Sequence, residues 1–303
     1  MFRIGIVGLG EIATRRHVPA IAATDGLELA GVASPDGAAV AGVPSWLDHR
    51  NLLAADIDAV AVCTPPSVRF RIAADALASG RHVLLEKPPA ATPGELSALV
   101  ELAQARRLTL FTAWHSQFNP AVDRARGMLA GRRLRHLLVT WKEDVEAYHP
   151  GQRWIWQPAG FGVFDPGVNA LSILTRILPQ RLLVTRTLLT VEPGASTPAK
   201  AELAFAVADT DAGDLRAEFD WRHPTSRREI ELETSDGLRL RLADSGRRLE
   251  ADGSLVLEAP NDEYGLLYRH FHALLAEGRS DIDAEPLRLA ADAHLIAGRA
   301  SVA

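Results

Sequence analysis

Apolar runs of strand length alternate with amphipathic stretches along the first third of the chain. Phe2–Val7, Leu27–Ala33, Ala59–Cys63, His82–Leu85 and Thr109–Thr112 are predominantly apolar, as strands covered on both faces are. Between them, Ile12–Ala23, Val68–Ser79 and Pro93–Arg106 carry helical patterns. The last opens with Thr92 as N-cap, Pro93 at the first helical position and Glu95 completing a capping box. Asp36–Trp46 is less regular and predicts a weakened or missing helix. Strands alternating with helices predict a parallel sheet wrapped by helices.

After Asn119-Pro120 the pattern changes. A helix at Ala121–Ala130 and a strand at Leu134–Lys142 precede a loop rich in Trp, Pro and Gly. Val184–Val191, Lys200–Ala208, Leu215–Trp221, Arg228–Thr234, Leu238–Leu242 and Ser254–Glu258 then read as strands. Pro193-Gly194, Asp211-Ala212-Gly213, Asp236-Gly237 and Asp252-Gly253 separate them with hairpin turn chemistry. Helices at Tyr264–Glu277 and Pro286–Arg299 close the chain. The expected class is α/β: a doubly wound parallel sheet, then an α+β domain with a large, mostly antiparallel sheet. The break falls near residues 115–121, giving domains over 1–118 and 119–303, with the C-terminal helix free to pack back on the first.

The bulk numbers narrow the function classes. A chain of 303 residues exceeds what one core usually serves, which agrees with two domains. Hydrophobic residues make up 47% and the formal net charge is -5, against the basic face a nucleic-acid partner requires. No apolar run is long enough to span a bilayer, and the first residues enter a strand without a secretory pattern. The single cysteine, Cys63, excludes an internal disulfide framework and suits a reducing cytoplasm. It ends an apolar run and is expected to be buried and inert. A cytoplasmic protein with no membrane partner is the expectation.

Gly8-Leu9-Gly10-Glu11-Ile12-Ala13 matches G-x-G-x-x-A, and its place between an opening strand and a helix makes it a Rossmann dinucleotide fingerprint. Gly8 permits the tight turn, Gly10 lets the backbone approach pyrophosphate, and Ala13 allows close helix–strand packing. The N–H groups at Glu11 and Ile12 open the helix toward the phosphates. The second strand ends in Ala33-Ser34-Pro35-Asp36. Ser34 suits a ribose hydroxyl or a 2′-phosphate, Asp36 suits a ribose, and Arg15 or Arg16 suits a phosphate. The choice between NAD and NADP stays open.

Three further motifs follow: Thr64-Pro65-Pro66 after the fourth strand, Glu86-Lys87-Pro88 after the fifth, and Gly160 to Asn169 opening a later helix. With the glycine loop, their order and spacing resemble the Gfo/Idh/MocA family of sugar and inositol oxidoreductases along essentially the whole chain. The resemblance implies that Lys87 reaches both nicotinamide ribose and reacting hydroxyl, and that Thr64, Pro65, Glu86 and Pro88 belong to the cofactor site. It implies that Asp165 assists proton removal. The family's usual His four residues later is Asn169 here. That departure, with Trp141-Lys142-Glu143-Asp144, His149-Pro150-Gly151, Trp154-Ile155-Trp156-Gln157-Pro158 and Thr112-Ala113-Trp114-His115-Ser116, is similar to the branch that oxidises L-arabinose or D-galactose at C1. A small-molecule sugar substrate and a homodimer are the implied partners.

The residues suit such chemistry. Asp165 and Asn169, four apart on a helix, share one face. Lys87, at the carboxyl end of a parallel strand, lies where open α/β sheets bind ligands. Lys87 and Asp165 would titrate as a coupled pair, with the formal base undecided between them. Glu143, His149 and His115 are candidate readers of the other hydroxyls, and Trp154 or Trp156 a stacking platform. Each has a plainer reading as well: Asp165 as a helix cap, Asn169 as a structural amide, Glu143 as an exposed strand carboxylate, and the tryptophans as core. The trans or cis state before Pro88 is not fixed by sequence. The remaining histidines form no metal-ligand spacing, so no metal is predicted. Rival functions are oxidation of a secondary hydroxyl, as in inositol dehydrogenases, and a non-catalytic sugar or nucleotide sensor.

Overall fold

The structure is a computed structural model that describes residues 1–208 and 213–301. Its elements in chain order are β1 (Phe2–Val7), α1 (Val18–Ala22), β2 (Leu27–Ala33), β3 (Ser45–Trp46), α2 (His49–Leu53), β4 (Ala59–Val62), α3 (Pro66–Ala78), β5 (His82–Glu86), α4 (Pro93–Arg106) and β6 (Leu110–Ala113). There follow α5 (Pro120–Leu129), β7 (Leu134–Asp144), α6 (Val145–Tyr148), α7 (Phe164–Ile177), β8 (Leu182–Val191), β9 (Pro198–Val207), β10 (Leu215–Asp220), β11 (Arg222–Thr234), β12 (Arg239–Ala243), β13 (Arg248–Ala251), β14 (Ser254–Glu258), α8 (Glu263–Glu277), α9 (Glu285–Leu295) and β15 (Ala297–Ser301). They form two compact units: Met1–His115 with Tyr264–Ala284, and Ser116–Glu263 with Glu285–Ala303.

In the first unit six parallel strands run in the order β3-β2-β1-β4-β5-β6. Ile4, Ile6, Val60, Val62, Val83 and Leu85 are wholly buried in it, which is why these strands read as unbroken apolar runs. The strand order reverses between β1 and β4, so their carboxyl ends open a crevice where this architecture takes ligands. The Thr92 hydroxyl accepts from the Glu95 N–H at 3.2 Å, and the Glu95 carboxylate accepts from the Ala91 N–H at 3.0 Å. The helix that follows the glycine loop begins at Glu11–Ile12 and runs into a π-turn at Ala13–His17.

The second unit is built on a nine-stranded sheet, ordered β14-β13-β12-β11-β7-β10-β9-β8-β15. Its pairs are antiparallel except β10 with β7 and β15 with β8. Helix α7 is its buried spine, with Phe164, Val168, Leu171 and Leu174 inaccessible. A Cβ at Gly167 would stand 2.8 Å from the Phe219 ring, so glycine lets this helix lie directly on β10. The parallel sheet followed by a mostly antiparallel one is the architecture the sequence predicts.

Local differences have local causes. Residues 36–44 form turns and irregular chain, and the short β3 and α2 follow, the latter capped by Asp48, which accepts from the Arg50 N–H at 2.8 Å. Cys63 is half-buried rather than buried, because β4 ends at Val62 and the thiol lies past the covered sheet. The last helix stops at Leu295 instead of Arg299. Gly298 disfavours helix, and Ala297–Ser301 instead pairs with β8. Strand β13, unread in the sequence, alternates charged and apolar residues beside β12. The turn expected at Asp211-Ala212-Gly213 lies, except for Gly213, outside the described residues.

Candidate active site

The carboxyl ends of β1, β2 and β4 build the crevice of the first unit. Gly8 has φ +89°, and a Cβ there would meet Thr64 Cγ2 at 2.8 Å and the Thr64 nitrogen at 2.9 Å. The Gly8 N–H donates to Ala33 O and the Cys63 N–H to Val7 O, both at 2.8 Å, so three strand ends are stitched at one point. A Cβ at Gly10, by contrast, meets nothing within 4 Å. Glycine at 8 is thus a requirement of the protein's own packing, while at 10 it keeps open the space before the helix. Glu11 and Ile12 are helical and exposed in the first turn, with their orphan N–H groups at its mouth. Thr64 Oγ1 is buried with no hydrogen-bond partner among the described residues. An open cradle, a helix start and an unspent hydroxyl fit a dinucleotide.

Ser34 is buried; its hydroxyl accepts from the Leu9 N–H at 3.4 Å and donates to Asp36 at 2.6 Å. That bond, with one from the Ala38 N–H, holds the Asp36 carboxyl below the usual carboxylate range. Arg15 pairs with Glu11 at 3.0 Å on the exposed side of the helix.

Lys87 follows β5, half-buried, and its peptide bond to Pro88 is cis. The wholly enclosed Arg69 of α3 donates to the carbonyls of Thr64, Glu86 and Pro88. One guanidinium therefore fixes both motif segments, and Pro65 caps α3 between them. The Glu86 side chain is buried and accepts from Tyr264 at 2.5 Å and faces His17 Nε2 at 3.3 Å. Burial pushes this carboxyl up, but the His17 hydrogen bond and the charges of His17, His115 and Lys87 prevail and hold it at about 2. His17 Nδ1 meets the Tyr268 hydroxyl at 2.7 Å. Burial opposes the charge on His17, yet the neighbouring Cys63, Tyr268 and Glu86 raise it well above its ordinary value. Burial pushes the Tyr268 phenol up to about 12. His115 stacks on Tyr264, ring centroids 5.2 Å apart.

The second unit gathers a separate set. Asp165 is buried in the first turn of α7, where the helix dipole favours a carboxylate. Its Oδ2 lies 3.4 Å from His149 Nε2. Asn169 follows one turn later, half-buried, and its Oδ1 is enclosed without a hydrogen-bond partner among the described residues. His149 Nδ1 meets Gln152 Oε1 at 3.3 Å, and the same oxygen accepts from Trp154 Nε1 at 3.1 Å. The His149 ring stands edge-on to Trp221 at 5.2 Å. Glu143 is buried with both oxygens engaged, one by Trp221 Nε1 at 3.1 Å and the other by Arg228 Nε at 2.7 Å. Arg228 also covers the Tyr148 ring at 4.5 Å, and Arg222 covers Trp156 at 5.0 Å.

Asp165 and His149 thus come together, and Trp154 joins them through Gln152. Glu143 lies in a neighbouring network that touches this set through Trp221, whose indole donates to Glu143 and stands beside the His149 ring. Sequence reading missed Arg69, His17, Tyr264, Tyr268, Gln152, Trp221 and Arg228. Two of these had a signal: Arg69 shares the buried stripe of Ile72, Ala73 and Ala76, and His17 that of Ala13, Ala20 and Ile21. A polar side chain set at helical spacing among apolar ones asks for a buried partner.

A glycine-loop crevice at a strand-order reversal, with a lysine held at the adjacent strand end, defines a nicotinamide-dependent oxidoreductase. Residues 2–113 match the family model described as "Oxidoreductase family, NAD-binding Rossmann fold". The chain is 42% identical over 303 residues to galactose 1-dehydrogenase of Pseudomonas fluorescens, covering 99% of this chain and 97% of that one. It belongs to the Gfo/Idh/MocA oxidoreductase family, and is similar there to the galactose 1-dehydrogenases. The crystal structure of D-galactose-1-dehydrogenase from Rhizobium etli superposes with a TM-score of 0.92 at 41% identity, covering 99% of this chain and 96% of that one. A 3-ketoreductase from Actinomadura kijaniata, solved with NADP and TDP-benzene, shares the fold with a TM-score of 0.86 at 19% identity, over 100% and 99% of the two chains. Among the described residues no helix is long and apolar enough to cross a membrane.

Proposed function

We propose that the protein oxidises the anomeric hydroxyl of a free aldose, D-galactose or L-arabinose, to the aldonolactone, with NAD as the preferred acceptor. The observation that carries this reading is the acid and amide one turn apart on α7: Asp165 beside His149, and Asn169 with an unspent buried oxygen. Bound oxidised nicotinamide supplies the hydride acceptor. The Asp165 carboxylate takes the C1 hydroxyl proton as hydride leaves the same carbon. Asn169 holds O1 or the ring oxygen without titrating. Lys87 donates to the reacting oxygen and to the cofactor ribose. Product chemistry favours C1, because its carbon already bears the ring oxygen and loss of hydride gives a stabilised lactone.

The preference for NAD rests on Asp36. The Ser34 hydroxyl is spent on this carboxylate, which accepts from ribose hydroxyls at the end of β2 and repels a 2′-phosphate. A homodimer through the uncovered face of the nine-stranded sheet is part of the proposal, supported by Leu188, which is 42% exposed on β8; light scattering tests it. The activity is tested by nicotinamide absorbance with a panel of free aldoses and inositols, with NAD and NADP in separate reactions. Turnover of D-galactose or L-arabinose is expected. Turnover of inositol alone would move the chemistry to a secondary carbon, and dinucleotide binding without turnover would favour a sensor.

A further inference from the structure

We infer that Asp165 and His149 work as one proton-accepting dyad, and that Gln152 is the positioning residue that sets the dyad by fixing the tautomer of His149. The inference rests on the proposed aldose oxidation for its chemical role, and on this chain's own hydrogen bonds for its geometry.

The tautomer follows from one indole. A tryptophan ring nitrogen only donates, so the group of Gln152 that lies 3.1 Å from Trp154 Nε1 is its carbonyl oxygen. That oxygen also lies 3.3 Å from His149 Nδ1. An oxygen acceptor requires a donor opposite, so Nδ1 carries a hydrogen in both the neutral and the charged ring. Neutral His149 therefore presents a bare lone pair at Nε2, and Nε2 stands 3.4 Å from Asp165 Oδ2. With the carboxylate ionised and the ring neutral, two acceptors face each other, and a single proton placed between them relieves both. In the opposite tautomer Nε2–H would donate to Asp165, and that relief would be gone.

The reaction step balances on this pair. The aldose C1–H bond breaks with its electron pair, which goes as hydride to an oxidised nicotinamide dinucleotide. The O1–H bond breaks, its electrons complete the C1–O1 double bond, and its proton passes to Asp165 and on to His149 Nε2. Sugar C1 is oxidised by two electrons and nicotinamide is reduced by two. His149, whose side chain is 23% accessible, then returns the proton to solvent. The side chain of Asp165 is only 4% accessible. The dyad thus joins a buried acceptor to a half-open one.

Two measurements on full-length protein test this. Long-range proton–nitrogen spectra of protein with ¹⁵N-labelled histidine report which ring nitrogen carries hydrogen, and the His149 signals are identified by their loss in His149→Asn. At alkaline pH neutral His149 should show hydrogen on Nδ1. In Gln152→Leu it should move to Nε2, whereas Gln152→Glu, which keeps an oxygen acceptor, should hold it on Nδ1. In aldose oxidation Gln152→Leu should lower kcat about ten-fold or more with KM nearly unchanged, since proton transfer by a positioned side chain contributes at least that much; Gln152→Glu should recover most of the rate. Hydrogen on Nε2 in the wild type, or a Gln152→Leu variant with unchanged tautomer or unchanged kcat, would overturn the inference. A wild type that turns over no aldose would overturn instead the activity on which it rests, and the spectra would still judge the tautomer.

Discussion

Replacing Glu86 with Gln should destabilise the protein by about 3 kcal/mol near pH 5.5, and the loss should disappear in acid. The Glu86 carboxyl is held at about 2 against an ordinary 4.5, and each pH unit of displacement is worth about 1.4 kcal/mol. The amide keeps an oxygen for Tyr264 but no charge for His17, and a buried cation left without its partner costs a similar amount. Above 4.5 the carboxyl is ionised in both folded and unfolded chains, so its contribution is complete. As pH falls from 4.5 toward 2 the unfolded chain takes up its proton first, and the contribution drains away. His17 behaves oppositely: raised above 6.5, it contributes fully below that value and loses the contribution as pH rises through its folded value. Between 4.5 and 6.5 the pair therefore contributes most. Urea unfolding of wild type and Glu86→Gln, followed by circular dichroism at about pH 5.5 and about pH 3, reads the difference. Equal stability at the higher pH, or a gap that does not shrink at the lower, would refute the reasoning.

Other perturbations separate binding from chemistry. Lys87→Ala should lower kcat by about 10²-fold or more while dinucleotide affinity, read by fluorescence titration, stays within a few-fold. Asp36→Ala should raise the ratio of kcat/KM for NADP to that for NAD by about ten-fold, roughly 1.4 kcal/mol of relieved repulsion; an unchanged ratio would remove Asp36 from the preference. Gly8→Ala should destabilise the fold by about 1–3 kcal/mol, because its Cβ would press into Thr64 at positive φ. Gly10→Ala should leave thermal stability nearly unchanged and weaken dinucleotide binding, since only the approaching ligand would meet the new methyl group.

The legible parts of this protein are those in which one short segment carries a complete instruction. β1, β4 and β5 are covered on both faces, so their runs of Ile, Val, Leu and Ala needed no partner to be recognised. The Thr92–Glu95 cap and the Gly8–Ala13 loop are likewise local. β3 has two residues and no pattern of its own. β15 read as helix because its preference is weak and the exposed edge of β8 decides it. The second-unit cluster has the same character. Asp165 and Asn169 share a helix, and their relation is readable as a spacing of four. Gln152, Trp221 and Arg228 acquire their roles from folding, which sets Gln152 between an imidazole and an indole and closes Arg228 on Glu143. Arg69 lies between these cases: its stripe announces a buried cation, but not the three carbonyls it serves.

The seating of β7 between β10 and β11 has a consequence for the order of assembly. β8, β9 and β10 form one meander of neighbours, and β11 to β14 form another. The chain passes from the first to the second through Trp221 alone, with β7 lying between the two strands it joins. Each meander closes short loops and is cheap in chain entropy, whereas β7 must return from far upstream to pair with both. The contacts of Glu143 with Trp221 and Arg228 exist only once that central strand is home. The Glu143 network of the second unit is therefore completed by the same event that welds the sheet, and a half-assembled chain would hold a well-formed meander without it.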